Sequence, residues 1–347
     1  MASFFVVKIL ILSTISFMAT ILWTPLLTYF LYKYKLGKNI RSAENAPIYA
    51  QLHQKKAGTP TMGGVLIWAT TLILILFFYL ISVFFPDSNL AKLNFFSRSQ
   101  TLLPLGVLVA TAIVGLVDDL LNIFKIGPNG GGMKIRHQLV IYTLIALVGA
   151  WWFYFKLDWD IIRIPFVGNF NIGSWIIPVF IFIIVGTAHS VNLTDGLDGL
   201  AGGTLLAGFA AYGAITFSQG KYDLASFCAV IVGALLAFLW FNINPARFFM
   251  GDTGAMSLGI TLGVLAMLTN TVLILPIIGL IFVVETLSVI VQLISKKIRG
   301  KKIFLSTPLH HHLEAKGWPE GKIVMRFWVI SGVTAVAGLI IFLMDKS

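Results

Sequence analysis

A chain of 347 residues that is 58% hydrophobic and only 11% charged cannot clothe a water-facing surface, so a soluble fold is excluded and a polytopic membrane protein is expected. Its single cysteine, Cys228, lies inside an apolar run and leaves neither a disulfide framework nor a cysteine metal site within one chain. A formal net charge of +11 would suit nucleic acid, but Lys and Arg fall in short segments between apolar runs with no aromatic-interleaved patch. Phosphate or anionic lipid fits that spacing better.

In chain order the apolar runs predict an all-α fold, one transmembrane domain over residues 1–347 with about ten helices, each near the ~20 residues a bilayer crossing needs. The first, from Phe4 to about Leu31, is too long for a signal-peptide core and is followed by "YKYKLGKNIR" without a cleavage site of small residues, so it reads as a retained helix centred near Phe17. The others centre near Leu74, Ala110, Ala146, Ile181, Ala207, Ile231, Thr261, Val284 and Val333. Pro276 predicts a kink in the ninth. Between the fourth and fifth, "WDIIRIPFVGNFNIG" alternates Ile162, Ile164 and Phe166 with other residues and offers Gly168 and Asn169 for a turn, which predicts a small hairpin.

With the segments after odd-numbered helices on one side, 18 of the 25 Lys and Arg residues fall there, and only Lys8, Lys92, Arg98, Lys156, Arg163, Lys221 and Lys346 fall on the other. Positive segments stay in the cytoplasm, so both termini and the hairpin are expected outside. Asp118, Asp119, Asp195, Asp198 and Asp252, with all six histidines (His53, His137, His189, His310, His311, His312), fall on or beside the cytoplasmic side. Carboxylates and cations at one face make a Mg²⁺ and phosphate site, since Mg²⁺ takes oxygen ligands and keeps waters and substrate phosphates. Taken singly, each acid also reads as a solvated residue.

"HQKKAGTPTMGG", residues 53–64, combines two lysines with a Gly-rich turn; it is no Walker A loop and reads either as phosphate-binding or as a basic segment facing lipid headgroups. "GLVDDLLNIFK" ends the third helix with two adjacent acids, whose repulsion raises one pKa or recruits a cation. "NLTDGLDGLAGG" spaces Asn192, Asp195 and Asp198 three apart on one helical face, or else caps the sixth helix. "FNINPARFFMGDTGAMSLG" sets Asp252 between glycines ahead of the eighth, as a metal ligand or an N-cap. "STPLHHHLEAKGW" carries three histidines, for which phosphate contact or hydrogen bonding fits better than zinc, because adjacent imidazoles cannot all converge.

Taken together, "KKAGTPTMGG", "GLVDDLLNIFK", "VNLTDGLDGLAGG", "FNINPARFFMGDTGAMSLG" and "PLHHHLEAKGW" resemble the polyprenyl-phosphate N-acetylhexosamine-1-phosphate transferases, in the family's order from about residue 55 to residue 326. The histidines after "PL" and the "TPTMGG" stretch resemble the muramoyl-pentapeptide branch. The resemblance implies Mg²⁺-dependent transfer of phospho-MurNAc-pentapeptide from UDP-MurNAc-pentapeptide to undecaprenyl phosphate, giving lipid I and UMP in a cleft facing the cytoplasm of a bacterial inner membrane. Membrane lipids, and a second copy in a homodimer, are the further partners considered; nucleic acid is not one.

Residue by residue, the resemblance implies that Asp252 binds Mg²⁺ and that Asp118 and Asp119 serve the reacting phosphates, the first as base. Asn192 and Asp195 would line the same cleft, and Asp198, Asn242 and Phe249 would hold the uridine. Lys56 and Thr61 match positions near the nucleoside, Lys125 and Lys134 match basic positions for the diphosphate, and His310, His311 and His312 match the histidine motif. His189 stands where the family has a smaller polar residue. Asp118 as a nucleophile forming a phospho-aspartate is the alternative mechanism. A cation-coupled transporter is the rival of another class, but it would place acids at helix midpoints and show an internal repeat. Only Glu285 lies mid-helix, where a buried structural pair explains it. Within the enzyme class, a UDP-GlcNAc transferase is the alternative.

Overall fold

The computed structural model describes residues 2–37, 56, 58–127 and 131–346, so His53 and Lys55 of the first basic motif lie outside the described residues. Among the described residues, ten long helices follow the ten apolar runs: α1 (Ala2–Lys33), α2 (Val65–Phe84), α3 (Leu102–Ile123), α4 (Ile135–Trp151), α5 (Ile176–Thr194), α6 (Leu200–Ser218), α7 (Tyr222–Asn242), α8 (Asp252–Leu268), α10 (Leu280–Arg299) and α12 (Glu320–Lys346). Two short ones, α9 (Leu275–Ile278) and α11 (Leu309–Ala315), complete the set. Eight helices are long and apolar enough to cross a bilayer, and the chain is an all-α multi-pass membrane protein.

Pro276 does more than kink the ninth span. It lies in the first turn of α9, where its missing N–H costs no intrahelical bond, and Gly279 then separates that single turn from α10. The expected bend is a break.

The centre of the bundle is α8. Of its 17 residues all but the first, Asp252, are buried, and it packs against α3 on one side and α5 on the other. A helix apolar on every face belongs inside a protein rather than against lipid. Around it, α7 packs on α1 and α6, α6 on α12, and α5 on α4 and α10. The lipid-facing helices stay apolar outside: Leu22, Phe182 and Trp240 are each more than 70% exposed.

Each end of the bundle gathers its own polar set. At one end, β1 (Ile161–Ile164) and β2 (Gly168–Asn171) form the expected antiparallel hairpin, with Arg163 opposite Asn169. The Arg163 backbone N–H donates to Asn270 just past α8, and its guanidinium pairs with Asp345 near the end of α12. That pairing also raises the arginine pKa. Lys8, buried, lies 3.6 Å from Asp223 at the same end. At the other end stand the aspartates and histidines of the sequence motifs.

Candidate active site

The site is built on the first turn of α8, where four backbone N–H groups lack intrahelical partners. Asp119, near the end of α3, supplies acceptors for two of them: its carboxylate takes the Asp252 N–H at 3.2 Å and the Thr253 N–H at 3.1 Å. Thr61 adds its hydroxyl at 3.3 Å. Gly251 precedes the helix with φ +75°, a left-handed conformation that suits glycine, and a Cβ there would stand 2.5 Å from Asp119 Oδ2. One turn back along α3, a Cβ on Gly115 would lie 2.5 Å from the Asp252 carbonyl oxygen, so the two backbones touch.

That contact places Asp118 beside Asp252. Asn192 of α5 donates to Asp252 Oδ1 at 2.8 Å. Gln138, in the first turns of α4, donates to Asp118 Oδ2 at 2.7 Å and reaches Asp252 Oδ2 at 3.4 Å, and the Met133 N–H donates to Asp118 Oδ1. Asp118, Asp119, Asp252 and Asn192 therefore converge on one point, and Thr61, expected near the nucleoside, joins them through Asp119. Asp195 follows one turn after Asn192, half-buried at the C-cap of α5. Lys125 and Lys134 are exposed in the segment linking α3 to α4, next to Met133.

A second polar knot lies alongside. Lys56 reaches Asp198 at 2.7 Å and Glu320 at 2.5 Å. Burial disfavours its ammonium, but the two carboxylates outweigh burial and raise its pKa above the usual lysine value. Asp198 also accepts from the Asn244 side chain at 2.9 Å and the Ala246 N–H at 3.1 Å. Asn242, 3% exposed, accepts from the Gly199 N–H and donates to the Phe248 carbonyl. Phe249 is half-buried, its N–H on the Pro60 carbonyl and its own carbonyl taking the Gly63 N–H, each at 2.8 Å. Of the three residues expected at the uridine, Asp198 contacts Lys56, the buried Asn242 amide is spent on backbone groups, and Phe249 is bonded through its backbone to the 60–64 segment, whose Thr61 reaches Asp119.

The three histidines diverge. His310 is fully buried, with Nδ1 3.0 Å from Glu285 of α10, and its ring edge faces Gly196, where a Cβ would meet Nε2 at 2.2 Å. Glu285, the lone mid-helix acid, is thus the expected structural pair. His311 pairs with Glu314 at 2.7 Å. His312 accepts the Leu305 N–H at 3.1 Å; burial, then the charge of Lys316, lowers its pKa. His189 contacts the Val185 carbonyl at 3.0 Å and meets Tyr142 edge-on.

Gln138, Asn244 and Glu320 were not singled out in the sequence. Gln138 had a signal in hindsight, being an uncharged amide at the start of a span that enters from the acid side. Among the described residues no group of three His, Cys, Asp or Glu side chains is placed to cage a metal. The Asp118 and Asp252 carboxylates, both reached by the Gln138 amide, are a donor set for an oxygen-seeking cation that needs one or two carboxylates and takes its remaining ligands from water and phosphate.

Comparison with known proteins gives the family. A family model described as glycosyl transferase family 4 matches residues 101–270, and a signature described as phospho-N-acetylmuramoyl-pentapeptide-transferase signature 1 matches residues 56–67. Proteins named phospho-N-acetylmuramoyl-pentapeptide-transferase from Chloroflexus aggregans and a Geobacillus species are each 39% identical, covering 96% of this chain and 89% and 98% of their own lengths. One from Bacillus licheniformis is 40% identical over 94% of this chain and 95% of its own.

Proposed function

The chain belongs to the phospho-N-acetylmuramoyl-pentapeptide-transferase family, and from that premise we propose that it transfers phospho-MurNAc-pentapeptide from UDP-MurNAc-pentapeptide to undecaprenyl phosphate, forming lipid I and UMP. The observation that supports this reading is the convergence of Asp118, Asp119 and Asp252 on the first turn of α8. The carboxylates face the cytoplasm of a bacterial inner membrane.

In the reaction an oxygen of the lipid phosphate attacks the phosphorus next to the sugar, one P–O bond forming as the bond to UMP breaks. Such transfer depends on positioning and on neutralising oxygen charge. Asp252 and Asp118 would hold Mg²⁺, and the ion would neutralise phosphate charge. Asn192 and Gln138 orient those carboxylates, and Asp119 fixes Asp252 through the helix backbone. Asp118 takes the last proton of the lipid phosphate, whose second pKa is near ~6. Lys125 and Lys134 meet the diphosphate, and Asp198, Phe249 and Lys56 meet the nucleoside, with Asn242 holding the Gly199 and Phe248 backbone beside them.

Assaying the purified protein with undecaprenyl phosphate and either UDP-MurNAc-pentapeptide or UDP-GlcNAc tests the reading; UMP release with the first alone is expected, and release only with UDP-GlcNAc overturns the substrate. Asp252→Asn should abolish transfer and recover part of it in excess Mg²⁺. A variant with wild-type rate and metal dependence would make Asp252 a helix residue only.

A further inference from the structure

A groove of about 520 Å³ runs between the second half of α1 and the end of α7, on the lipid-facing side and apart from the carboxylate cluster. Tyr29 and Tyr32 line it from α1 and Phe241 from α7, with Lys33 and Arg247 at the end nearest the acid side. The threonines of its α1 wall donate back along their own helix, Thr24 to the Thr20 carbonyl at 2.6 Å and Thr28 to the Thr24 carbonyl at 2.8 Å. Its recognition capacity therefore rests on the two cations. Lys33 Nζ lies 5.3 Å from the Tyr29 ring and Arg247 lies 5.8 Å from the Phe241 ring. Neither is paired with a carboxylate among the described residues.

Toward the membrane interior the same two helices expose apolar side chains, Leu22 and Leu26 on α1 and Leu236 and Trp240 on α7. Two cations without a carboxylate partner among the described residues, at the end of two membrane helices and above an apolar flank, complement a phosphate that carries acyl chains. A soluble phosphate would leave the apolar flank without a use, and an apolar protein segment would bury both charges without partners. We propose that the groove binds one anionic phospholipid of the surrounding bilayer, its phosphate at Lys33 and Arg247 and its chains along α1 and α7. The Tyr32 hydroxyl donates to the Arg247 carbonyl at 2.9 Å, so the bound lipid braces α1 against the segment that leads through Phe249 to Asp252. The site is distinct from the transfer chemistry and does not depend on it.

The test is native mass spectrometry of the full chain in neutral detergent with equimolar phosphatidylglycerol and phosphatidylcholine. Each basic residue near the surface strengthens anionic-lipid binding roughly fivefold, so phosphatidylglycerol should be preferred about 25-fold. Lys33→Ala should reduce the preference about fivefold, and adding Arg247→Ala should bring it close to parity. Lys33→Arg and a Lys301→Ala/Lys302→Ala control should keep it. The proposal is overturned by a missing headgroup preference, by one that survives the double variant, or by equal competition from glycerol-1-phosphate. Disulfide dimers of an Arg247→Cys variant that form equally well with or without phosphatidylglycerol would assign the groove to a second copy and overturn it too.

Discussion

Adjacent residues on a helix point about 100° apart, and at the end of α3 this sends Asp119 to the backbone of α8 and Asp118 to Met133 and Gln138. The two acids therefore fail differently. Asp119→Ala leaves the Asp252 and Thr253 N–H groups without acceptors, and about 1–3 kcal/mol of stability should be lost in thermal unfolding without substrate. Asp118→Asn should fold normally. As a base, Asp118 contributes about 10²- to 10⁴-fold, so the asparagine variant should keep measurable activity that rises with pH as the lipid phosphate ionises unaided. Lipid-independent exchange of labelled UMP into the UDP-sugar, lost in that variant, would instead establish a covalent aspartyl intermediate. The motif "VDDLL" shows the pair but not this division, because which neighbour each acid meets depends on how closely α3 approaches α8. The histidine run is similar: three identical residues have three different partners, set by the turn of α11 against α10.

Between elements, the approach of α3 to α8 is governed by Gly115, where any side chain would strike the Asp252 backbone. Gly115→Ala should push the helices apart, costing about 1–3 kcal/mol as overpacking does, and lower activity more than stability because Asp118 and Asp252 lose their register. A variant with unchanged rate and melting temperature would show that the two helices can slide without consequence. At this scale the sequence was most readable. Ten apolar runs became ten long helices, and alternation with a turn became a hairpin, since bilayer thickness and side-chain periodicity act locally. The break at Pro276 was not readable, because proline is tolerated in a first helical turn as well as at a kink. Nor was the central place of α8, whose uniform apolarity reads the same against lipid and against protein.

Across the whole molecule, successive passes run between a face rich in carboxylates and a face closed by the hairpin, and the charge asymmetry predicts that the first faces the cytoplasm. With Cys228 replaced, a single cysteine near Lys221, at exposed Gly220, should react with an impermeant thiol reagent on intact cells and one near Arg299 should not; the opposite pattern would invert the molecule. Lys221 offers a second handle on the outer face. Its ammonium lies 5.3 Å from the Trp159 ring and donates to the Leu268 carbonyl at 2.6 Å, and burial pushes its pKa down to about 8 from 10.5. Between those values the unfolded chain holds the extra proton, so stability should rise with pH through that window. Thermal unfolding of Lys221→Met should lack this part of the rise; an identical slope in both proteins would show that the lysine is solvated.

The brevity of α8 has a consequence for traffic through the site. Beyond Asp119, α3 runs one more turn to Ile123, which sets the buried Asp118 and Asp119 roughly 6 Å short of its end. In the proposed reaction a nucleotide diphosphate would leave bulk water to reach them, past exposed Lys125 and Lys134. A phosphate riding at the bilayer surface must sink by a similar depth, which requires slack in the chain that anchors it. Admission is then decided by reach, and an anion of the right charge on too short a tether stays at the brim.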